Sequence, residues 1–173
     1  EGPGSRAVSD LVTGGGAKVG VGCETDAMQP LEHRVPVADD VSVRALEWGT
    51  HRPGRPSFVL VHGLASNARL WDGAASSLAT LGYHVVAVDQ RGHGLSDKPD
   101  DGYDMASVVE DLSSLIRTMQ LVRPVVAGQS WGGNVVVELA NRYPEIVAGV
   151  CAVDGGIIQL ADRFVDWESC AST

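Results

Sequence analysis

Ser130 stands where the chain could present a nucleophile. It is the centre of Gly128-Gln129-Ser130-Trp131-Gly132, which follows the β-branched pair Val125-Val126 after one intervening alanine. The spacing G-x-S-x-G is typical of a strained turn from a strand into a helix, which exposes the serine hydroxyl. Glycines two positions either side remove the Cβ atoms that would clash there. The same pattern also occurs by chance as a tight turn with an inert serine, so the neighbouring elements decide.

Apolar patterning predicts the elements that would hold this turn. Strands are predicted in "HRVPVADDVSVRALEWG" (two, around Ala38–Asp40), "PSFVLVHG", "HVVAVDQ", "PVVAG" and "IVAGVCAVDGG". Helices are predicted in "RLWDGAASSLATLG", after the N-cap Asp104, and in "WGGNVVVELANRY". The last four strands are continuous apolar runs, which indicates burial on both faces. Because they alternate with helices, we expect an α/β fold with a mostly parallel sheet flanked by helices.

Three motifs in this order resemble the α/β-hydrolase family, over most of residues 28–156. They are "VHGLASNARLW" (Val61–Trp71), "VDQRGHGLSD" (Val88–Asp97) and "GQSWGG". The resemblance implies a nucleophile elbow with Ser130 at its apex. It also implies an oxyanion hole formed by the main-chain N–H groups of Leu64 and Trp131, the latter at a helix N-terminus.

The resemblance gives accessory roles to other residues. His62 and His93 are expected to hold loops through hydrogen bonds rather than to act as bases. Asp89 and Arg91 are expected to pair with each other inside their loop. Trp71 is expected to pack under the oxyanion loop, and the Trp131 side chain to lie near the pocket.

The general base is missing from this pattern. In the family the order along the chain is serine, acid, histidine. Here every histidine precedes Ser130: His33, His51, His62, His84 and His93. Without a base, a serine hydroxyl is a poor nucleophile at neutral pH.

Three explanations remain open. The chain is interpreted first as truncated before the strands that carry the acid and histidine, so that the fold is incomplete at its C-terminus and the fragment inactive alone. Second, Asp154 could already be the acid, because it follows a strand at the carboxyl edge of the sheet; capping a turn with Gly155 and Gly156 is the alternative role. Third, the domain could be a non-catalytic ligand-binding or scaffold protein on the same fold.

The predicted reaction is serine-mediated acyl transfer on a small apolar ester or carbonyl substrate, with no metal or organic cofactor. A serine at the elbow argues against the dehalogenase and epoxide-hydrolase branches, which resemble this one but use a carboxylate nucleophile. Esterase, lipase-like, carbon–carbon hydrolase and perhydrolase branches share the serine and stay open.

Composition narrows the partners. The 173 residues carry a net charge of −9, with no basic patch, which argues against nucleic acid and anionic membranes. No apolar run is long enough to span a bilayer. Cys23, Cys151 and Cys170 form neither a metal-ligand nor a disulfide pattern, so a reducing cytoplasmic location is predicted. Oligomeric state is left open.

The chain divides into three predicted segments. Residues 1–27, glycine-rich and beginning "EGPGS", are interpreted as a flexible leader or a remnant of cloning. Residues 28–156 are the expected hydrolase core. Residues 157–173 are interpreted as the start of a lid, cut short.

Overall fold

A computed structural model describes residues 28–155. The predicted leader, residues 1–27, and the predicted lid, residues 157–173, lie outside the described residues. The strands are β1 (Leu31–Ala38), β2 (Val41–Trp48), β3 (Phe58–Val61), β4 (Val85–Val88), β5 (Val125–Gln129) and β6 (Gly149–Val153). The helices are α1 (Asp72–Thr80), α2 (Met105–Thr118) and α3 (Trp131–Arg142), with 3₁₀ turns at Ala68–Trp71 and Pro144–Ile146.

The strands form one mixed sheet in the order β1-β2-β4-β3-β5-β6. The first two pair as an antiparallel hairpin, and β2 runs antiparallel to β4. The other four strands are mutually parallel. This confirms the predicted α/β class with a mostly parallel sheet flanked by helices.

The hairpin follows from alternation in the sequence. Val35 and Val37 on β1, and Val41, Val43 and Ala45 on β2, face the core, while the residues between them on β1 are exposed. Asp39 and Asp40 form the turn between the strands, as predicted.

Two apolar cores lie on opposite faces of the sheet. Helices α2 and α3 cover the face that includes Val59, Val86 and Val126. Helix α1 covers the other face, around Leu60 and Ala87. The short strands β3 and β4 are therefore buried on both sides, which explains their continuous Val-rich runs.

Strand β6 departs from the prediction of a fourth buried strand. Val150, Cys151, Ala152 and Val153 are all exposed. The cause is position in the sheet: β6 lies at an edge, pairs only with β5 among the described strands, and packs against α3. A continuous apolar run does not distinguish a central strand from an edge strand.

The carboxyl ends of the parallel strands meet at one edge of the sheet. Val61 lies opposite both Val88 and Gly128, and Gln129 lies opposite Val153. His62, Asp89, Ser130 and Asp154 each follow directly after one of these strands. The fold therefore gathers the residues that the motifs singled out, at the edge where open α/β sheets bind ligands.

Candidate active site

Ser130 occupies a strained turn between β5 and α3. Its main chain has φ +52° and ψ −120°, in a region that L-residues other than glycine rarely adopt. A Cβ atom on Gly128 would lie 2.6 Å from the main-chain nitrogen of Gly133, and one on Gly132 would lie 2.6 Å from the carbonyl oxygen of His62. The two glycines therefore let the turn close against α3 and β3, and Ser130 is left exposed.

The loop after β3 runs alongside this serine. A Cβ atom on Gly63 would lie 3.1 Å from the Cβ of Ser130 and 2.7 Å from Oε1 of Gln129. Leu64, the predicted oxyanion donor, follows at once and is 65% exposed. Ala65 then takes a left-handed conformation with φ +53°, which turns the chain toward the 3₁₀ segment. The structure thus brings the Leu64 loop beside Ser130.

Trp131 begins α3 directly after Ser130. Its N–H belongs to the first turn of the helix, where main-chain donors have no intrahelical acceptor. Its side chain is half-buried and packs against the core on the α2 and α3 side of the sheet. The main-chain N–H of Trp131, rather than its side chain, is therefore the group that lies at the turn beside Ser130.

Asp154 follows β6 beside the elbow. The Ser130 N–H donates to the carbonyl oxygen of Val153 at 2.9 Å, so Asp154 comes next to Ser130 across the sheet edge. Its carboxylate is exposed and makes no hydrogen bond or ion pair with the rest of residues 28–155, and its main chain is left-handed with φ +51°. The geometry brings Asp154 near the serine without engaging it.

His62 is buried behind the loop and holds it. Its Nδ1 donates to the carbonyl oxygen of Gly63 at 2.7 Å, and its Nε2 accepts from the Gln90 N–H at 3.1 Å. Burial lowers the pKa of His62 below its ordinary value, and nearby His93 lowers it further. A neutral ring with both nitrogens engaged holds a loop, as the sequence predicts.

His93 also makes a loop contact. Its Nδ1 donates to the carbonyl oxygen of Arg91 at 2.9 Å, and its ring lies 5.0 Å from that of His62 between centroids. Neither histidine has a hydrogen bond to Ser130.

The predicted pair between Asp89 and Arg91 is wrong. The Arg91 guanidinium donates instead to both carboxylate oxygens of Asp111 on α2, at 2.5 and 2.6 Å. Asp89 accepts from Nε of Arg44 on β2 at 2.8 Å. Both residues lie beyond the end of β4, where the chain leaves the strand, and their partners lie on different elements: Arg44 on β2 for Asp89, and Asp111 on α2 for Arg91. The bond to Asp111 raises the pKa of Arg91, which stays charged.

Asp89 ties three segments together. Besides Arg44, its carboxylate accepts from the N–H of Ala68 at 2.6 Å and from that of Leu95 at 2.8 Å. It is completely buried, so all three donors are needed to satisfy the charge. Trp71, next to this segment, is half-buried and packs on the core on the α1 side.

Sequence reasoning missed Gln90, Arg44 and Asp111. Asp111 left a signal, because a carboxylate on the apolar stripe of α2 needs a cationic partner. Arg44 left a weaker one, as a charged residue between the core-facing Val43 and Ala45. Gln90 left none, since its role depends on a loop that lies far away in the sequence.

Within residues 28–155, no three His, Cys, Asp or Glu side chains are grouped so as to hold a metal ion. No helix in the same span is long and apolar enough to cross a membrane.

Comparisons with known proteins agree with this architecture. A family model described as the alpha/beta hydrolase fold matches residues 56–173. The chain is 37% identical over 99 residues to a 2-(acetamidomethylene)succinate hydrolase of Mesorhizobium japonicum, covering 57% of this chain and 35% of that protein. It is 36% identical over 115 residues to epoxide hydrolase A of Mycobacterium tuberculosis, covering 65% and 35%.

A solved structure of a bacterial membrane phospholipase A superposes with a TM-score of 0.70 at 30% identity, covering 78% of this chain and 42% of that one. The chain thus spans about a third of the length of the two curated relatives, 35% of each. Because the family model covers residues 56–173 and the sheet carries the elbow at the expected edge, this chain belongs to the α/β hydrolase family.

Proposed function

We propose that the full-length protein is a serine hydrolase in which Ser130 is transiently acylated by a small apolar ester or carbonyl substrate. The observation that carries the proposal is the left-handed main chain of Ser130, φ +52°, at the turn from β5 into α3. Such strain costs roughly 1–3 kcal/mol and persists where function requires it. Exposure of the residue leaves its hydroxyl accessible to a substrate.

The chemistry follows from the elbow. Ser130 Oγ attacks the carbonyl carbon, and a C–O bond forms as the carbonyl electron pair moves onto oxygen. The N–H groups of Leu64 and Trp131 would stabilise that oxyanion. Collapse expels the leaving group, and water then attacks the acyl-serine and returns the free acid.

The proton of Ser130 Oγ needs a base, which residues 28–155 do not bring to the elbow. His62 and His93 are engaged in loop contacts, and Ser130 Oγ has no hydrogen-bond partner within the described part. In this proposal a histidine elsewhere in the full-length protein is the base. Asp154, which lies unengaged beside Ser130, is proposed as the acid that orients it.

Two similar proteins support a hydrolytic reaction, and a third raises the question of which bond is hydrolysed. The succinate hydrolase and the phospholipase are named as hydrolases of other substrates, whereas epoxide hydrolase A is named for epoxides. A serine at the elbow favours acyl transfer, because a carboxylate nucleophile is what the epoxide-opening branch uses. We therefore expect ester cleavage without epoxide opening.

The experiment uses the protein translated from the complete reading frame that contains these residues. A fluorophosphonate probe should label Ser130, located by peptide mapping, and hydrolysis of p-nitrophenyl acetate should fall at least about 10⁴-fold in Ser130→Ala. Ser77→Ala, on the exposed side of α1, is the matched control and should keep full activity. Labelling at another residue, or turnover of styrene oxide that survives Ser130→Ala, would overturn the assignment.

A ligand-binding or scaffold role is the second candidate. The specific observation in its favour is the unpartnered Ser130 hydroxyl described above. It predicts saturable binding of a small apolar ligand with neither a covalent adduct nor a product in the full-length protein. Absence of labelling combined with such binding would select this alternative.

A further inference from the structure

Gln90 forms hydrogen bonds with both the ring and the main chain of His62. It lies after β4, is 6% exposed, and donates its main-chain N–H to His62 Nε2 at 3.1 Å. Its side-chain Nε2 also donates to the carbonyl oxygen of His62 at 2.6 Å. One residue therefore restrains both the ring and the main chain of the residue that precedes Gly63.

His62 connects these hydrogen bonds to the loop of Gly63 and Leu64, the predicted oxyanion loop. Because Nε2 of His62 accepts from Gln90, the ring proton is assigned to Nδ1, which donates to the carbonyl oxygen of Gly63. Gly63 lies against Ser130, with Leu64 next in the chain. The orientation of the Gly63–Leu64 peptide, and hence of the Leu64 N–H, is fixed through this chain of bonds.

The carbonyl oxygen of the Gln90 side chain indicates that the side-chain N–H donor has a function beyond packing. Its Oε1 is buried and has no partner among the described residues. A buried acceptor without a partner is unfavourable, and an apolar side chain of similar volume would avoid it. The position therefore retains an amide at some expense to stability, which a role in packing alone does not require.

We propose that Gln90 is a positioning residue that aligns the Leu64 N–H with the oxyanion at Ser130. This inference rests on the proposed function. Gln90 does not touch the substrate; it acts through His62 and Gly63. Its loss tilts the Leu64 peptide, which weakens stabilisation of the transition state more than binding of the substrate.

The test is Gln90→Met in the full-length protein, because methionine keeps the volume and the main-chain N–H but removes the side-chain donor. We expect kcat for p-nitrophenyl acetate to fall about 10- to 100-fold while KM changes less than about threefold. Affinity for a trifluoromethyl ketone, which forms an oxyanion on Ser130, should fall by the same factor as kcat. Gln90→Met with wild-type kcat would overturn the proposal.

Ser57→Ala is the matched control. Ser57 is also buried and lies just before β3, at the opposite end of that strand from His62. Its Oγ forms a hydrogen bond with Nδ1 of His84 at 2.9 Å. Its loss should lower stability without lowering kcat. A parallel loss of kcat in both variants would mean that Gln90 acts only through general stability.

Amide hydrogen exchange distinguishes a failure of the proposed function from a failure of the proposed role of Gln90. The main-chain amide of residue 90, which donates to His62 Nε2, should exchange faster relative to its intrinsic rate in Gln90→Met, whether or not the protein is an enzyme. Faster exchange without fluorophosphonate labelling of the wild type would reject the proposed function, while supporting the role of Gln90 in holding the loop. Labelling of the wild type with unchanged exchange and kcat in the variant would reject the role of Gln90 alone.

Discussion

Gly155 lies directly against the main chain of Ser130. A Cβ atom on Gly155 would be 2.7 Å from the carbonyl carbon of Ser130 and 2.8 Å from its Cα. The Ser130 N–H is bonded to Val153, two residues earlier. The segment just after β6 therefore packs against the strained elbow, and only a glycine at position 155 allows this close approach.

Gly155→Ala should therefore disturb the elbow. The new methyl group meets main-chain atoms, which cannot rotate away, so we expect the free energy of unfolding to fall by about 1–3 kcal/mol. Fluorophosphonate labelling of Ser130 in the full-length protein should slow by about tenfold or more. Gly149→Ala, at the start of β6, is the control, because a Cβ there meets no atom within 4 Å. Equal behaviour of the two variants would contradict the supporting role.

Gly132→Ala tests the contact between α3 and β3. A Cβ atom at Gly132 would lie 2.6 Å from the His62 carbonyl oxygen and 2.9 Å from the Val61 carbonyl carbon. We expect a loss of at least about 1–3 kcal/mol in urea denaturation, since the helix must move away from the strand.

Gly73→Ala gives the opposite sign. Gly73 lies in α1 with nothing within 4 Å of its Cβ direction. Alanine should stabilise that helix, by up to about 0.5–1 kcal/mol. A Gly132→Ala variant as stable as wild type would show that α3 does not need its close approach.

The sequence predicted the elements whose cause is local. Alternation at Val35 to Ala45 specified the hairpin, Asp104 capped α2 by accepting from the Ser107 N–H, and the glycines around Ser130 specified the elbow. Each of these depends on residues within a few positions of one another.

Long-range partners were not predictable in the same way. Asp89 and Arg91 are two apart, yet they bond to Arg44 and Asp111, which are 45 and 20 residues away. The exposure of β6 depends on its place at the sheet edge, and the function of Gln90 depends on a loop 28 residues earlier. Such choices are made by the assembled sheet, so periodicity along one strand does not report them.

Asp111→Ala should be strongly destabilising. Both members of the Arg91–Asp111 pair are about nine-tenths buried, and the substitution leaves the guanidinium buried without its carboxylate. Breaking a buried pair from one side costs about 3–5 kcal/mol. Urea denaturation of the variant should show that loss in the free energy of unfolding. The kcat of the folded variant should stay close to the wild-type value, because neither residue touches Ser130.

Two further variants test whether the unpaired buried charge causes the loss of stability in Asp111→Ala. Arg69→Gln removes one member of an exposed pair with Asp72 and should cost less than about 1 kcal/mol. The double variant Arg91→Met with Asp111→Leu should be more stable than Asp111→Ala, because it leaves no unpaired buried charge. A double variant that is the least stable of all would instead point to the bond from Arg91 to the Gly102 carbonyl as the main contribution.

Stability should fall in mild acid because of His62. Burial, with a smaller contribution from His93, lowers the pKa of His62 from its ordinary 6.5, while Asp89 and the bond to Gly63 oppose the shift. The unfolded chain therefore binds a proton at this site before the folded protein does, so the free energy of unfolding falls as the pH drops through 6.5. It levels off below the folded pKa, and above 6.5 the site contributes no pH dependence.

Protonation also conflicts with geometry, since a proton on His62 Nε2 would face the Gln90 N–H that it now accepts from. Chemical denaturation between pH 5 and 8 should therefore show a slope of at most about 1.4 kcal/mol per pH unit from this residue. His62→Asn, which cannot take up a proton, should lose that part of the slope although it is less stable at pH 8. His51→Asn, at an exposed loop position, should keep it. A slope in His62→Asn equal to that of the wild type would assign the acid sensitivity to other groups.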